Sequence, residues 1–258
     1  MLAVEATAKH TSQATAPSVG RRSGYNSDAA RELPAYTLVE SSRYLRIPLR
    51  TVHNWAFGSS YSTAGGRRQT HRLIVPADEP RHLLSFVNLL ELHVLSGLRR
   101  EHNLKMPAIR TALDYLRREY KSKRPLIDEE MFSHEGSLLV EKYGQLVNAS
   151  QDGQLAMHRA MGIHLRRIER DDRGVILRLY PFTRKHASTA ALVDQPQIIV
   201  IDPSVVFGRP VIAGSRVPTA EVADRYLAGD SVSTLAEDYG RSPEEIEEAI
   251  RCELVPAA

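Results

Sequence analysis

Cysteine is almost absent from this chain of 258 residues, which holds one, Cys252. A single thiol forms no intrachain disulfide, and a cysteine-based metal site is equally excluded. A chain without disulfides is expected in a reducing, cytoplasmic setting. Long apolar runs are missing too. No stretch approaches the roughly 20 residues of a membrane span, so no membrane partner is expected. The first thirty residues lack an apolar core of roughly 7–15 residues, and no secretory signal is read there.

Catalytic signatures are also lacking. The ten histidines are scattered, with no His-x-x-x-His pair. His158 and His164 lie too far apart to share one helix face. No glycine-rich phosphate loop precedes a helix, and no nucleophile elbow appears. The carboxylates gather on helices as solvated acids, without an apolar setting that would raise their pKa. An enzyme is therefore not expected, nor a cofactor or a metal.

What is present is an ordinary folded composition, 42% apolar and 25% charged, with an uneven distribution of charge. Residues 36–75 carry six basic groups (Arg43, Arg46, Arg50, Arg67, Arg68, Arg72) against one acid, Glu40. Residues 196–258 carry five basic groups against eleven acids. One end suits a polyanion and the other would be repelled by one, which argues for two different partners.

Residues 1–33 are rich in Ala, Ser and Thr without periodicity and read as a disordered tail. In "YTLVESSRYLRIPLRTVHNWA", 36 to 56, Thr37 and Glu40 form a capping box. Leu38, Ser41, Ser42 and Leu45 then form one small apolar face. Ile47-Pro48 breaks that helix, and Pro48 suits the first turn of the next. Val52 and Trp55 supply the buried stripe of this second helix. Two short helices joined by a tight turn make a helix-turn-helix. The second helix would present Arg50, Thr51, His53 and Asn54, of which Arg reads guanine, Asn reads adenine, and Thr or His holds phosphate. Gly65-Gly66 then signals a hairpin flanked by Tyr61 and by Leu73-Ile74-Val75, with Arg67, Arg68 and Arg72 on its descending arm. A basic hairpin placed there is a wing for the sugar-phosphate backbone.

Residues 80–120 read as a helix pair. The first is apolar most of the way round and is loosened at its end by Gly97; the second starts at Pro107 with Ile109, Leu113 and Leu116 as its stripe. Its faces could pack within one chain or form a homodimer seam. From 125 to 187 the pattern is mixed: "SLLVEKYGQLV" reads as a hairpin, "QLAMHRAMGIHLRRIER" as helical and "GVILRLYPF" as a strand. Residues 184–197 resemble a linker, with a strand edge as the other possibility. Residues 198–201 read as a buried strand. Val211-Ile212 and Val217-Pro218 read as short arms around Gly214, and three helices follow. The last of these opens on Ser242-Pro243-Glu244-Glu245.

These readings assemble a mainly α fold with small β elements (α+β). It consists of a tail at 1–33, a winged helix-turn-helix DNA-binding unit with following helices at 34–120, and an α+β connector at 121–195. A small helical domain with a short β-hairpin occupies 196–258. The acids of that last unit, Asp230, Glu237, Asp238, Glu244, Glu245, Glu247 and Glu248, either form a solvated face or meet a basic protein. Glu237 and Asp238 are the ones assigned to such a partner. Arg209 and Arg216 either pair with acids of the same unit or reach into the acidic pocket of a partner.

Residues 36–120 resemble the winged-helix domain of MerR-type regulators. The features that carry the likeness are Tyr36-Thr37 opening the first helix, Val52-x-x-Trp55, the arginine wing and the long helix after it. Excisionase-like factors share the motif, and the cysteines of the metal-sensing members are missing here, so metal sensing is not carried over. Some 55 residues carry "GRPVIAGSRVP" followed by "LAGDSVSTLAEDYG" and closely resemble the family catalogued as domain of unknown function four-three-three. Members of that family resemble VapB-type antitoxins, usually paired with a PIN-like ribonuclease toxin. The resemblance implies a DNA-binding antitoxin that neutralises such a toxin and represses its own operon. Its partners would be operator DNA, the toxin and a second copy of the chain. The other reading is a stand-alone MerR-like regulator that senses a small ligand in the connector.

Overall fold

Thr37 opens the helix-turn-helix through the capping box its sequence announces. In the computed structural model, which describes residues 27–63, 66–102, 106–119, 121–128, 145, 158–159, 161–184 and 195–254, Thr37 Oγ1 accepts the Glu40 N–H at 3.2 Å. The Glu40 carboxylate in turn accepts the Thr37 N–H at 2.8 Å. Helix α2 (Leu38–Leu45) follows and ends on Arg46 in a left-handed conformation. Pro48 caps α3 (Leu49–Phe57) from just outside, one position earlier than expected, because its own φ suits the turn and it has no N–H to offer. Ser41, Ser42 and Leu45 of α2 and Val52 and Trp55 of α3 face inward. A six-residue helix, α1 (Ser27–Glu32), lies within the segment read as a tail.

The wing is an antiparallel ribbon of β2 (Ser59–Thr63) and β3 (Gly66–Thr70), in the register Tyr61↔Arg68 and Ser62↔Arg67. Leu73 and Ile74 leave it and are buried, their N–H groups donating to the Trp55 carbonyl at 2.7 and 3.2 Å. β1 (Tyr36–Thr37) pairs with β4 (Leu83–Leu84), so Leu83 and Leu84 belong to a strand and not to the helix expected over them. Helices α4 (Phe86–His102) and α5 (Met106–Glu119) complete the N-terminal part. Every residue of α4 from Phe86 to Leu98 is buried within the single chain, so that stretch offers no seam to a second copy. Gly97 does not loosen α4; it lies inside it, where a Cβ would come within 2.6 Å of the His164 ring.

The hairpin expected over 137–147 lies largely outside the described residues, as do Leu155 and Met157 of the expected helix. Residues 161–165 are helical, but Ile168 belongs to strand β5 (Ile168–Arg170), which pairs with β6 (Ile176–Leu179). The Arg167 guanidinium is buried and donates to four carbonyl oxygens, of Tyr180, Pro181, Gln195 and Pro196, at 2.8–3.0 Å. It thereby ties the connector to the start of the C-terminal segment. There β7 (Ile199–Val200) pairs with β8 (Val211–Ile212), and Val217-Pro218 adds one bridge at Val211. Helix α8 (Pro243–Leu254) packs over this pair, and α6 (Thr219–Leu227) and α7 (Val232–Tyr239, capped by Ser231 and closed by Gly240) pack against α8. The result is α+β, mainly helical with small antiparallel strand pairs. Buried side chains from Tyr36 to Cys252 join in one continuous core. Among the described residues no helix is long and apolar enough to cross a membrane, and no three His, Cys, Asp or Glu side chains converge on a possible metal position.

Candidate nucleic-acid interface

The exposed face of α3 is set by what the opposite face buries. With Val52 and Trp55 in the core, Arg50 and His53 turn outward and Thr51 and Asn54 lie half-exposed at the flanks. These four residues share one helix, as the sequence predicts. A groove runs between Leu38 and Val39 of α2, the outer face of α3 (Leu49, Arg50, His53, Asn54) and the first residues of the wing, Gly58 to Ser60. The His53 ring packs at 5.4 Å on Phe57, and His82 closes on Phe57 at 4.5 Å, which orients His53 along the groove.

The arginines divide into two sets. Arg50 is exposed beside the groove. Arg67 and Arg68 have their backbones on β3; their side chains lie outside the described residues. Arg72 stands at the foot of the wing and pairs with Glu79 at 2.6 Å. Arg43 and Arg46 face away from the groove, toward the C-terminal segment. Arg43 meets Glu253 at 3.2 Å, and Arg46 donates to the carbonyls of Thr183, at 2.9 Å, and Arg251. Part of the basic excess read from the sequence is therefore spent inside the molecule.

Four contributors escaped sequence reasoning. Arg99 of α4 lies 5.9 Å over the Trp55 ring and donates to Thr51 Oγ1 at 3.3 Å, adding an exposed cation beside α3. No local pattern could reveal it, because it is contributed by a helix 48 positions away. Arg110 and Arg117 of α5 donate to the carbonyls of His71 and Leu73 and pin the root of the wing. Asn88 secures the same exit: its amide donates to the Val75 carbonyl at 2.8 Å and its oxygen accepts the Ala77 N–H at 3.0 Å.

In the C-terminal segment the four residues assigned to a partner come apart. Arg209 pairs with Glu40, across the junction with the helix-turn-helix, and not with an acid of its own unit. Burial pushes the Glu40 carboxyl up, but the hydrogen bonds from Thr37 and the Arg209 charge outweigh it and hold the group below its ordinary value. Asp238 pairs with Arg225 at 2.6 Å. Arg216 and Glu237 are exposed. The other acids of the segment are mostly laced to arginines: Glu244 to Arg184, Glu245 to Arg241, Glu247 to Arg251. Glu248 is not on a solvated face; it is buried among Thr183, Arg184 and Arg251.

Comparison with known proteins adds to this geometry. Residues 34–113 match the family described as "Putative DNA-binding HTH domain", and residues 199–251 match "Protein of unknown function (DUF433)". The chain is 26% identical over 232 residues to "Putative antitoxin VapB45" of Mycobacterium tuberculosis (strain ATCC 25618 / H37Rv), covering 85% of this chain and 93% of that protein. It is 23% identical over 222 residues to "Uncharacterized protein Rv2308" of the same strain, covering 83% and 88%. Its fold resembles the crystal structure of Rv2018 from Mycobacterium tuberculosis, with a TM-score of 0.57 and 24% identity over 85% of this chain and 98% of that one.

Proposed function

We propose that this chain is a non-enzymatic, cytoplasmic DNA-binding antitoxin that represses its own operon and neutralises a PIN-like ribonuclease toxin. In this reading residues 34–120 hold DNA in the manner of MerR-like winged helices, 121–195 connect, and 196–258 hold the toxin. The observation that carries it is the groove beside α3. Arg50, His53 and Asn54 lie on one outward face that continues into the wing, while Val52 and Trp55 lock the opposite face into the core. The match of residues 34–113 to a DNA-binding family and the likeness to a protein named as an antitoxin support it.

Arg50 and Asn54 would read base edges, Thr51 and His53 would hold phosphate, and Arg67 and Arg68 would grip the backbone from the wing. Arg72 joins them when its pair with Glu79 opens. Arg99 adds a further cation. A homodimer would read two half-sites about one helical turn apart. With α4 buried, its seam must be formed by another surface. Arg216 and Glu237, exposed in the C-terminal segment, would face the toxin; Asp238 would do so with Arg225 beside it.

The test is binding of the full chain to its own promoter fragment. Asn54→Ala should weaken binding to the operator by roughly 10-fold or more and leave binding to unrelated duplex nearly unchanged, because a lost bidentate base contact removes about 1–3 kcal/mol of discrimination. Equal loss on both duplexes would remove α3 from the reading role.

A further inference from the structure

The loop from Asp202 to Pro210 joins β7 to β8 and contains three successive left-handed residues: Val206 at φ 45°, Phe207 at φ 55° and Gly208 at φ 76°. A β-branched or aromatic residue rarely adopts that conformation, and two in a row persist only where the surroundings enforce them. The surroundings here are explicit. Asp202 accepts the Ser204 N–H at 2.8 Å and Arg178 Nε at 2.9 Å, and the N–H groups of Gly208 and Arg209 bond back to Val205 and Val206 at 2.9 and 3.0 Å. From the other side Tyr36 donates its hydroxyl to the Gly208 carbonyl at 2.9 Å, and Arg209 pairs with Glu40. A Cβ on Gly208 would come within 2.3 Å of the Tyr36 hydroxyl. The product of all this restraint is a phenyl ring that is 93% exposed.

A rigid loop that strains its own backbone in order to hold an aromatic side chain in water does nothing for the fold. We propose that Phe207 is the anchor through which the C-terminal segment docks a protein partner, its ring entering an apolar socket on a partner whose surrounding surface is basic. Aromatic anchors presented without freedom to reorganise are what interface hot spots are made of. The chemistry of the partner follows from charge. The segment that carries Phe207, residues 196–258, holds eleven acids against five basic groups, an excess that the pairs with Arg43, Arg178 and Arg184 of other segments reduce without cancelling, and it favours a basic protein over a nucleic-acid backbone.

The position has a consequence. Both outer restraints of the loop come from Tyr36 and Glu40, the residues that open α2. A partner seated on Phe207 therefore lies against the start of the helix-turn-helix. This inference rests on the antitoxin reading, since the partner is the toxin invoked there.

The experiment uses the full chain and the product of the adjacent reading frame, co-expressed and purified. Phe207→Ala should weaken that complex about 30-fold or more while leaving promoter binding unchanged. In parallel, 4-fluorophenylalanine at position 207 should shift its fluorine resonance when the partner is added and not when promoter DNA is added. Unchanged partner affinity in Phe207→Ala, or a fluorine shift with DNA alone, would overturn the proposal while leaving the antitoxin reading in place. If the wild-type chain itself does not bind the adjacent product, the antitoxin reading falls and the anchor falls with it.

Discussion

Val206 and Gly208 share one left-handed turn, and the chain treats the two positions differently. At Val206 the side chain opposes the backbone, so Val206→Gly should raise stability by about 1 kcal/mol. At Gly208 the conformation is free but the space is not, and Gly208→Ala should cost about 2 kcal/mol or more, since the Tyr36 hydroxyl occupies the position of the new methyl. Urea unfolding of the two variants should give shifts of opposite sign. Glu91 offers a pH-dependent counterpart. It is buried on α4, and burial pushes its carboxyl up to about 7, against the pull of Arg124 at 2.8 Å and a hydrogen bond from Asn88. Between its ordinary value of 4.5 and about 7 the native chain holds a proton that the unfolded chain has released. Glu91 therefore makes stability fall as pH rises through that window, by roughly 1–3 kcal/mol. Glu91→Gln should flatten that part of the stability–pH curve, and an unchanged slope would remove Glu91 as its source.

At the scale of elements, the helix-turn-helix was legible because its signals are local. A capping box, a proline and a Val-x-x-Trp stripe each act within a few residues. The helices of the C-terminal segment were legible for the same reason: Ser231, Gly240 and Ser242 mark their ends as caps do anywhere. The wing was placed by its glycines, but its attachment was not. The arginines and the asparagine that hold its root come from α4 and α5, and periodicity carries no trace of such contacts. In the proposed complex the wing contributes charge and not sequence reading. Arg67→Ala with Arg68→Ala should then weaken binding to all duplexes alike and reduce the slope of log affinity against log salt by about two. A salt titration that leaves the slope unchanged would take the wing off the phosphates.

At the scale of the whole molecule, the segment from Tyr36 to Arg46 is the junction. Tyr36, Glu40, Arg43 and Arg46 all contact the connector or the C-terminal segment, at Gly208, Arg209, Glu253, and the carbonyls of Thr183 and Arg251. With one continuous core beneath these contacts, the described parts should unfold in a single calorimetric transition. Replacing Arg43 and Arg46 together by Ala leaves buried carbonyls without their donor and breaks the pair with Glu253. The double variant should melt several degrees lower and begin to separate into two transitions; a single unshifted peak would show that the junction is incidental. In the proposed complex, this junction would place partner binding at one end in mechanical contact with DNA binding at the other.

The amino-acid sequence by itself determined the helix-turn-helix, the caps of the C-terminal helices, the outward face of α3, the basic wing and the acidic excess at the far end, because caps, stripes and net charge act over a few residues. Only the tertiary structure decided which charges remain available. It joined Arg209 to Glu40, buried Glu248, drew Arg43 and Arg46 inward and brought Arg99 to α3. Each of these pairings depends on how distant segments share one core, and a one-dimensional pattern contains no term for that.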